Sequence, residues 1–337
     1  MGRNADIKSR ILHFFRSKIF TLCIVLVFLM ALFAIVSGGA TLKPLNIRTI
    51  LNSIVIVSFL AIGEGFLLVS GCIDLSAGTV GTTSGIMLAV IYTKLGGPWW
   101  LAILCALCFG AVAGVVNATL VNRFSFQPFI ATLAVSNCAK GIGYIICGGK
   151  TLDVQNEVLS WIGTKRIFGK TIPITLLIAL AFLIVYGIIL SRTKLGRRIY
   201  MVGGNRNAAR LAGLNPKRIS YGMFINGSIL FSIAGIMSVL RVKSSSPLGI
   251  QSLQFSGITA AILGGISFGG GSGNMFGCFL GLCILNTFNN GMDILKVDTY
   301  IQQVFSGLLL LLALTIDIIN SRRTQSNLLK MARSVKS

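Results

Sequence analysis

Histidine and acidic residues are scarce in this chain, and their scarcity excludes several kinds of chemistry. The 337 residues contain one histidine, His13, and only 8 Asp and Glu. A single histidine in a basic N-terminal stretch cannot build a Ser-His-Asp triad or a multi-histidine metal site. The 8 cysteines lie in or beside apolar stretches, which predicts neither a disulfide framework nor a metal site. We therefore expect no metal and no cofactor.

A nucleotide-binding frame is missing as well. The tripeptide Gly-Lys-Thr at 149–151 ends like a phosphate-binding loop, but that pattern needs a glycine five positions earlier and finds Tyr144. The glycine run Gly269–Gly273 lacks a lysine. We therefore predict that the chain is not an enzyme. If it moves a solute uphill, an ion gradient or another subunit must supply the energy.

What the sequence has in abundance is apolar residues. They make up 54% of the chain, charged residues make up 11%, and the mean hydropathy is +0.84. A helix needs roughly 18–20 apolar residues to cross the hydrocarbon of a membrane, and apolar runs of about this length recur along the whole chain. We therefore predict an all-α polytopic membrane protein. It is expected to be a single domain over residues 1–337 with about ten transmembrane segments, both termini being cytoplasmic. The predicted crossings are Ile19–Ser37, Ile50–Ser70, Val80–Leu95, Trp99–Val121, Phe129–Cys147, Ile172–Leu190, Tyr221–Leu240, the apolar part of Gly257–Asn274, Met275–Gly291 and Tyr300–Ile319.

Positive charge is concentrated at predicted membrane ends. The chain has 30 Lys and Arg, and 18 of them fall in three segments, Met1–Lys18, Arg192–Arg218 and Arg322–Ser337, where Asp6 is the only acid. The positive-inside rule places all three in the cytoplasm. We therefore expect cytoplasmic tails at 1–18 and 321–337, a cytoplasmic loop at 192–218, and no nucleic-acid partner.

Two of the membrane segments are predicted to be interrupted or re-entrant. Ser70–Thr79 and Gly257–Asn274 are rich in glycine or alanine breaks, and irregular backbone at membrane depth persists only inside protein or beside a cavity. Each is followed by a Gly-xxx-Gly pair and an asparagine, at Gly110, Gly114 and Asn117 in one half and at Gly277, Gly281 and Asn286 in the other. Such matching breaks are typical of an internal repeat around a transport path.

Polar residues near these breaks are the candidates for the translocation path. They are Glu64, Asp74, Ser76, Asn117, Ser267 and Asn286. Glu64 either is a neutral or hydrogen-bonded interior residue or lines the path. Asp74 is suited to cap the helix that follows it, and direct contact with a substrate is the alternative. For Asn117 a structural hydrogen bond is the favoured explanation.

The basic segment Arg192–Arg218 contains a short predicted helix. Asn205 can N-cap it, Gly213 can close it in the left-handed conformation, and Pro216 prevents its continuation. Its three-and-four spacing places Ala208, Leu211 and Ala212 on one side and Arg206 and Arg210 on another. The segment is then either a solvated loop that obeys the charge rule or a plug for a cytoplasmic partner.

Five stretches, taken together, resemble a known family. They are Ser70–Thr79, Pro128–Leu133 (PFIATL), Leu195–Leu214, Leu263–Gly273 and Asn289–Gly291. Their order and spacing are similar to those of the permease subunits of carbohydrate ABC importers, above all the ribose permease group, with galactoside, xylose and autoinducer-2 permeases as relatives. The resemblance implies a multi-pass protein of the bacterial cytoplasmic (inner) membrane that pairs with a second permease copy. It also implies an extracytoplasmic sugar-binding protein and a cytoplasmic two-lobed ATPase as partners.

The resemblance further implies that Gly203–Gly213 is the coupling helix that docks on the ATPase. The coupling candidates are Gly203, Gly204, Asn205, Ala208, Ala209, Arg210, Leu211 and Gly213. The chain departs from the family pattern at Ala118, where a glycine is common, and at Arg206, where relatives often carry an acid. The departure at Arg206 implies a partner ATPase with a more acidic groove. Two other functions stay open: an ion-coupled secondary transporter that uses Glu64 and Asp74, and a membrane anchor for a cytoplasmic complex.

Overall fold

Thirteen α-helices account for most of residues 18–167 and 172–334, which are the residues that the computed structural model describes. In chain order they are α1 (Lys18–Val36), α2 (Pro44–Val69), α3 (Ala77–Thr93), α4 (Trp99–Asn122), α5 (Pro128–Cys147), α6 (Glu157–Thr164), α7 (Ile174–Arg192), α8 (Lys194–Gly204), α9 (Arg206–Leu211), α10 (Pro216–Val242), α11 (Gln254–Leu263), α12 (Met275–Ile294) and α13 (Thr299–Ser334). The predicted N-terminal tail at 1–18 lies outside the described residues except for Lys18. The predicted C-terminal tail continues α13 as a helix up to Ser334.

Within the described ranges, seven helices are long and apolar enough to cross a membrane. They are α1, α2, α4, α5, α7, α10 and the Thr299–Ile319 part of α13. The other three predicted crossings correspond to α3 with 17 residues, α11 with ten and α12 with 20, the last of which carries three asparagines and an aspartate. The multi-pass prediction is confirmed, whereas the count of ten stays a prediction.

Prolines mark the starts of three helices. Pro44, Pro128 and Pro216 each occupy the first turn of α2, α5 and α10. Proline fits there because its fixed φ suits a helix and its missing N–H would have no partner. The predicted starts at Ile50 and Tyr221 were therefore too late, since these helices continue beyond the apolar run into polar sequence.

Helix α2 is the centre of the bundle. Every residue from Ile54 to Val69 is buried, and the helix packs against α7, α10, α11 and α12. Aromatic rings join it to α7, with 5.3 Å between the ring centroids of Phe59 and Phe182 and 5.1 Å between those of Phe66 and Tyr186. A helix that is apolar all round is expected at such a central position.

The two Gly-xxx-Gly pairs are confirmed as sites of close helix packing. A Cβ built at Gly110 or Gly114 in α4 would lie 2.7 Å from a carbonyl oxygen of α10, that of Ser228 or of Phe224. The approach is closer still in α12, where a Cβ at Gly277 or Gly281 would overlap the carbonyl oxygen of Gly264 or of Ala260. Small residues therefore set the distance between these helices.

Two segments between predicted crossings contain short strands, which corrects the all-α description in detail. Gly148–Lys170 holds α6 and the strand β1 (Leu152–Asp153), and Arg241–Ser256 holds β4 (Ser244–Ser245). These strands pair antiparallel, with Leu152 opposite Ser245. A second small ribbon joins β2 (Arg166–Ile167) to β3 (Ile172–Pro173). The remaining regular structure of the described residues is helical and includes two 3-10 turns, at Ala40–Leu42 and Gln251–Leu253.

Both described ends of the membrane region lie on the same face as the basic segment Arg192–Arg218. The end of α8 touches the second interrupted segment at Gly271, and that segment touches Lys18 at the start of α1 through Gly265. Asp317 near the end of the apolar part of α13 is hydrogen-bonded to Ser267 of the same segment. We call this side the basic face.

Candidate functional site

The short helix predicted within the basic segment is present as α9. The Asn205 side chain accepts hydrogen bonds from the backbone N–H groups of Asn207 and Ala208, each at 3.0 Å. Gly213 follows the helix with a φ of 78°, which lies in the left-handed region, and Pro216 opens the next helix. The predicted cap, closure and stop are confirmed.

A second helix in the basic segment, α8, was not predicted. Thr193 caps it by accepting a hydrogen bond from the Gly196 N–H at 3.1 Å. Its apolar residues Ile199 and Val202 are buried, and its arginines at 197 and 198 are exposed. The threonine cap followed by apolar residues at three-and-four spacing is the signal that could have identified this helix.

Helix α9 presents an exposed apolar patch with a basic rim. Leu211 is 91% exposed, whereas Ala209 is 1% exposed and anchors the helix to the chain beneath it. We call the exposed set the coupling surface; it comprises Arg206, Ala208, Arg210, Leu211 and Ala212. Leu211 and the two alanines form the apolar part of this surface, and the two arginines form its basic part.

Three glycine-bearing turns meet directly beneath α8. A Cβ built at Gly203 would overlap the carbonyl oxygen of Val69, the last residue of α2, and one at Gly270 would lie 2.8 Å from Gly203 O. A Cβ at Gly271 would lie 2.6 Å from Gly204 Cα, and the Gly271 N–H donates to Val69 O at 2.9 Å. We call this contact the glycine junction. It joins the end of α8 to both interrupted segments at once.

Side chains reinforce the glycine junction on both sides. The Tyr200 hydroxyl of α8 donates to the Gly273 carbonyl in the second interrupted segment. The Arg206 guanidinium lies 3.4 Å from the Cys72 sulfur in the first. Partial burial raises the pKa of Tyr200 above its ordinary value, so this hydroxyl keeps the proton that it donates. Gly71, Cys72, Tyr200, Gly270 and Gly271 were not among the predicted site residues, because only tertiary contact brings them together.

Asp74 and Ser76 of the first interrupted segment form one buried cluster with Asn117 of α4. Asp74 Oδ1 accepts hydrogen bonds from the Ser76 N–H at 2.8 Å and from the Ser76 hydroxyl, and its Oδ2 accepts from Asn117 Nδ2 at 3.0 Å. The structural hydrogen bond predicted for Asn117 is present, whereas the prediction that Asp74 is the N-cap of the following helix is wrong by two residues. Helix α3 itself begins at Ala77 with Ser76 in the N-cap position, so Asp74 supports the turn that precedes the cap.

The remaining path candidates lie in three further positions, of which only Glu64 adjoins this cluster. Glu64 is fully buried in α2, near enough to Asp74 for the two carboxyl groups to interact electrostatically. Ser267 donates to Asp317 Oδ2 at 3.0 Å, which fixes the second interrupted segment to α13. Asn286 donates to Leu282 O of its own helix and lines a polar cavity of about 200 Å³ on the opposite side of the bundle, near Arg241. The six residues therefore belong to three separate places: the Asp74 cluster with Glu64 beside it, Ser267, and Asn286.

Known proteins match this chain over most of its length. The family model described as "Branched-chain amino acid transport system / permease component" matches residues 46–314. The ribose import permease protein of Bacillus subtilis (strain 168) is 31% identical over 292 residues, covering 86% of this chain and 90% of that protein. The L-arabinose transport system permease protein of Escherichia coli (strain K12) is 32% identical over 295 residues, covering 86% and 89%.

A third relative is somewhat less similar. The fructose import permease protein of Rhizobium meliloti is 29% identical over 302 residues, covering 87% of this chain and 83% of that protein. No solved structure matches the chain.

The glycine junction predicts a difference between two neighbouring glycines. A methyl group at Gly203 would overlap Val69 O and lie 2.8 Å from Gly271 N, whereas one at Gly204 would lie 3.9 Å from its nearest neighbour, Gly271 Cα. Because overpacking costs about 1–3 kcal/mol, we expect Gly203→Ala to lower the thermal unfolding midpoint of the purified protein in detergent. Gly204→Ala is the matched control and should leave the midpoint unchanged. Equal midpoints for the two variants would contradict the described contact.

Proposed function

We propose, on the premise that this chain belongs to the family of permease components of branched-chain amino acid and related transport systems, that it is the membrane subunit of an ATP-driven monosaccharide importer. The chain is a multi-pass protein of the inner membrane. In our proposal an extracytoplasmic binding protein delivers the sugar and a cytoplasmic two-lobed ATPase drives its passage. The basic face is then cytoplasmic, in keeping with the positive-inside rule.

The chemistry of the relatives supports a sugar as the substrate. The relatives described above are named for the transport of ribose, L-arabinose and fructose, which are all small polyhydroxylated monosaccharides. We propose a ribose-like monosaccharide for this chain. Because the binding protein would select the sugar, the membrane path needs only to be polar and weakly binding.

The observation that carries the proposal is the position of the coupling surface directly above the glycine junction. Leu211 and its arginine rim offer an exposed contact for the ATPase, and the buried Ala209 ties the same helix to the bundle. Closure of the ATPase around ATP would move α9 and the adjoining end of α8. Since α8 touches both interrupted segments, the motion would reach both together and switch the bundle between two arrangements.

Helix α5 supports the pairing of two permease copies. Asn137, Lys140, Gly141 and Tyr144 are exposed at three-and-four spacing and so share one face of this apolar helix. A lysine that faced lipid at this depth would cost about 2.5–3.5 kcal/mol on insertion scales. By contrast α4 exposes apolar side chains such as Leu104 and Val112. We propose that this polar α5 face meets the second copy and lines the sugar path between them.

The relatives do not favour the ion-coupled alternative. Their names describe import and transport-system permeases. Asp74 is hydrogen-bonded to Ser76 and Asn117, with the buried Glu64 beside it, so both carboxyl groups already have partners within the protein. A membrane anchor is also disfavoured, because an anchor has no need of two interrupted segments that join at one contact.

Binding of the ATPase is expected to depend on Leu211. Leu211→Asp places a charge at the centre of the coupling surface, so we expect the ATPase to be lost from the complex that copurifies with the permease. Because Leu211 is 91% exposed, membrane insertion and folding should be unaffected. Leu248→Asp is the matched control, since Leu248 is 66% exposed in the segment that adjoins β4. Undiminished copurification by Leu211→Asp would remove the coupling surface from the mechanism.

The pairing of two copies can be tested with single cysteines. In a background with the exposed Cys108 and Cys138 changed to Ser, we expect Gly141→Cys on α5 to form an oxidised dimer and to react with a membrane-impermeant maleimide. No atom lies within 4 Å of a Cβ at Gly141, so the change is sterically harmless in the single chain. Val112→Cys on α4, which is 61% exposed, should do neither. Equal behaviour of the two cysteines would argue against the polar α5 face as the meeting surface.

The energy source can be tested with Glu64→Gln and Asp74→Asn in vesicles that contain the assembled importer. We expect both variants to retain uptake that requires ATP and ignores the ion gradient. Asp74→Asn can be accommodated because Asn117 Oδ1 has no hydrogen-bond partner among the described residues. If the Asn117 amide group rotates by half a turn, its Oδ1 can accept a hydrogen bond from the NH₂ group of the new asparagine. Uptake that follows an ion gradient without ATP, and is abolished by either variant, would replace our proposal by ion coupling.

A further inference from the structure

An apolar crevice opens between the first and last membrane helices. It lies among α1, α11, α12 and α13, has a volume of about 570 Å³, and is lined mainly by aliphatic side chains. Among these are Val25, Leu29, Leu263, Leu309, Leu312 and Ile316. The volume falls within the range of about 300–1,000 Å³ that ligand sites in proteins have.

The surroundings of the crevice are those of the bilayer core. Helix α1 exposes apolar side chains on several sides, with Val27 67% and Ile35 79% exposed, and α13 exposes Leu311 and Leu312. Water would find few hydrogen-bond partners in a crevice with such a lining. If the crevice were empty, the side chains that line it would lose dispersion contacts. Hydrocarbon is the material that fills it most favourably.

The charged side chain of Lys18 lies at the end of the crevice that opens on the basic face. The aliphatic stem of Lys18 lies 3.8 Å from a Cβ position at Gly265, and the side chain is exposed. Asp317 lines the same end, but its Oδ2 is already engaged by the Ser267 hydroxyl at 3.0 Å and the Phe268 N–H at 2.9 Å. Among the described residues no ion pair within 4.0 Å joins Lys18 to Asp317. Within the part of the chain that the structure describes, the ammonium therefore has no ion-pair partner.

An apolar slot that ends in an exposed lysine matches one class of molecule. We propose that the crevice binds an anionic phospholipid, with an acyl chain along the slot and the phosphate at Lys18. Long lysine side chains near helix ends reach the headgroup region, and basic pockets between membrane helices on the cytoplasmic side hold anionic headgroups. A second copy of the chain is a poorer occupant, because two Lys18-bearing ends would repel each other.

The bound lipid would touch the transport machinery indirectly. Gly265 lies next to Lys18, in the turn that follows α11 within the second interrupted segment, and its φ is 88°. The Ser267–Asp317 hydrogen bond at the same end fixes that segment to α13. A phosphate at Lys18 would therefore stabilise one position of the second interrupted segment. This inference concerns lipid and does not depend on the identity of the transported sugar.

Native mass spectrometry of the full-length permease tests the proposal directly. We expect added phosphatidylglycerol to form a retained adduct and phosphatidylcholine of the same chain length to bind more weakly. Because a lysine near an anionic headgroup is worth about 1 kcal/mol, Lys18→Gln should weaken phosphatidylglycerol binding about fivefold. Val25→Trp, which fills the crevice from an exposed position, should abolish the adduct.

Two matched controls accompany these variants. Lys43→Gln removes an exposed lysine from the connection between α1 and α2, at the end of α1 remote from Lys18. Val27→Trp places a tryptophan on α1 outside the crevice lining. Both should bind phosphatidylglycerol like the unmodified protein. Equal binding of the two lipids with no effect of Lys18→Gln or Val25→Trp would overturn the proposal. A loss of dimer in Val25→Trp with the lipid adduct unchanged would also overturn it, because the crevice would then be a contact between copies.

Discussion

The structure depends on backbone-to-backbone contact at three glycine turns. Val69 at the end of the central helix α2, Gly203 at the end of α8, and Gly270 and Gly271 in the second interrupted segment approach more closely than any side chain would allow. Such contact is stiff, because it contains no side chain that can change its rotamer. A displacement of α8 is therefore expected to move its neighbours rather than be absorbed between them.

This stiffness explains why both interrupted segments lie at the same contact. An interrupted helix leaves backbone groups that must be satisfied within the protein. In this chain the two interruptions help to satisfy each other, since the Gly271 N–H donates to Val69 O. The cost of two broken helices is thereby reduced. The third member of the same contact is the end of α8, which directly precedes the helix that carries the coupling surface. A transporter that is moved from one face of the membrane needs such a connection to its interior.

Local features of the structure could be predicted from the sequence, whereas the contacts between distant segments could not. Asn205 and Gly213 bound a helix through hydrogen bonds and backbone angles within a few residues, and both predictions are confirmed. The approach of Gly203 to Val69 joins residues that are far apart in the chain, so no local pattern reports it. The path candidates Glu64 and Asn286 were chosen because they are polar, and polarity alone does not show which side of a helix faces the interior.

Hydrogen–deuterium exchange of the two interrupted segments, measured with the ATPase docked and with ATP present or absent, tests the central claim most directly. If the glycine junction transmits motion, the amides of residues 70–77 and 264–274 change their protection together when ATP is added. If the change is confined to α8 and α9, or reaches only one of the two segments, the glycine junction does not couple the basic face to the bundle interior.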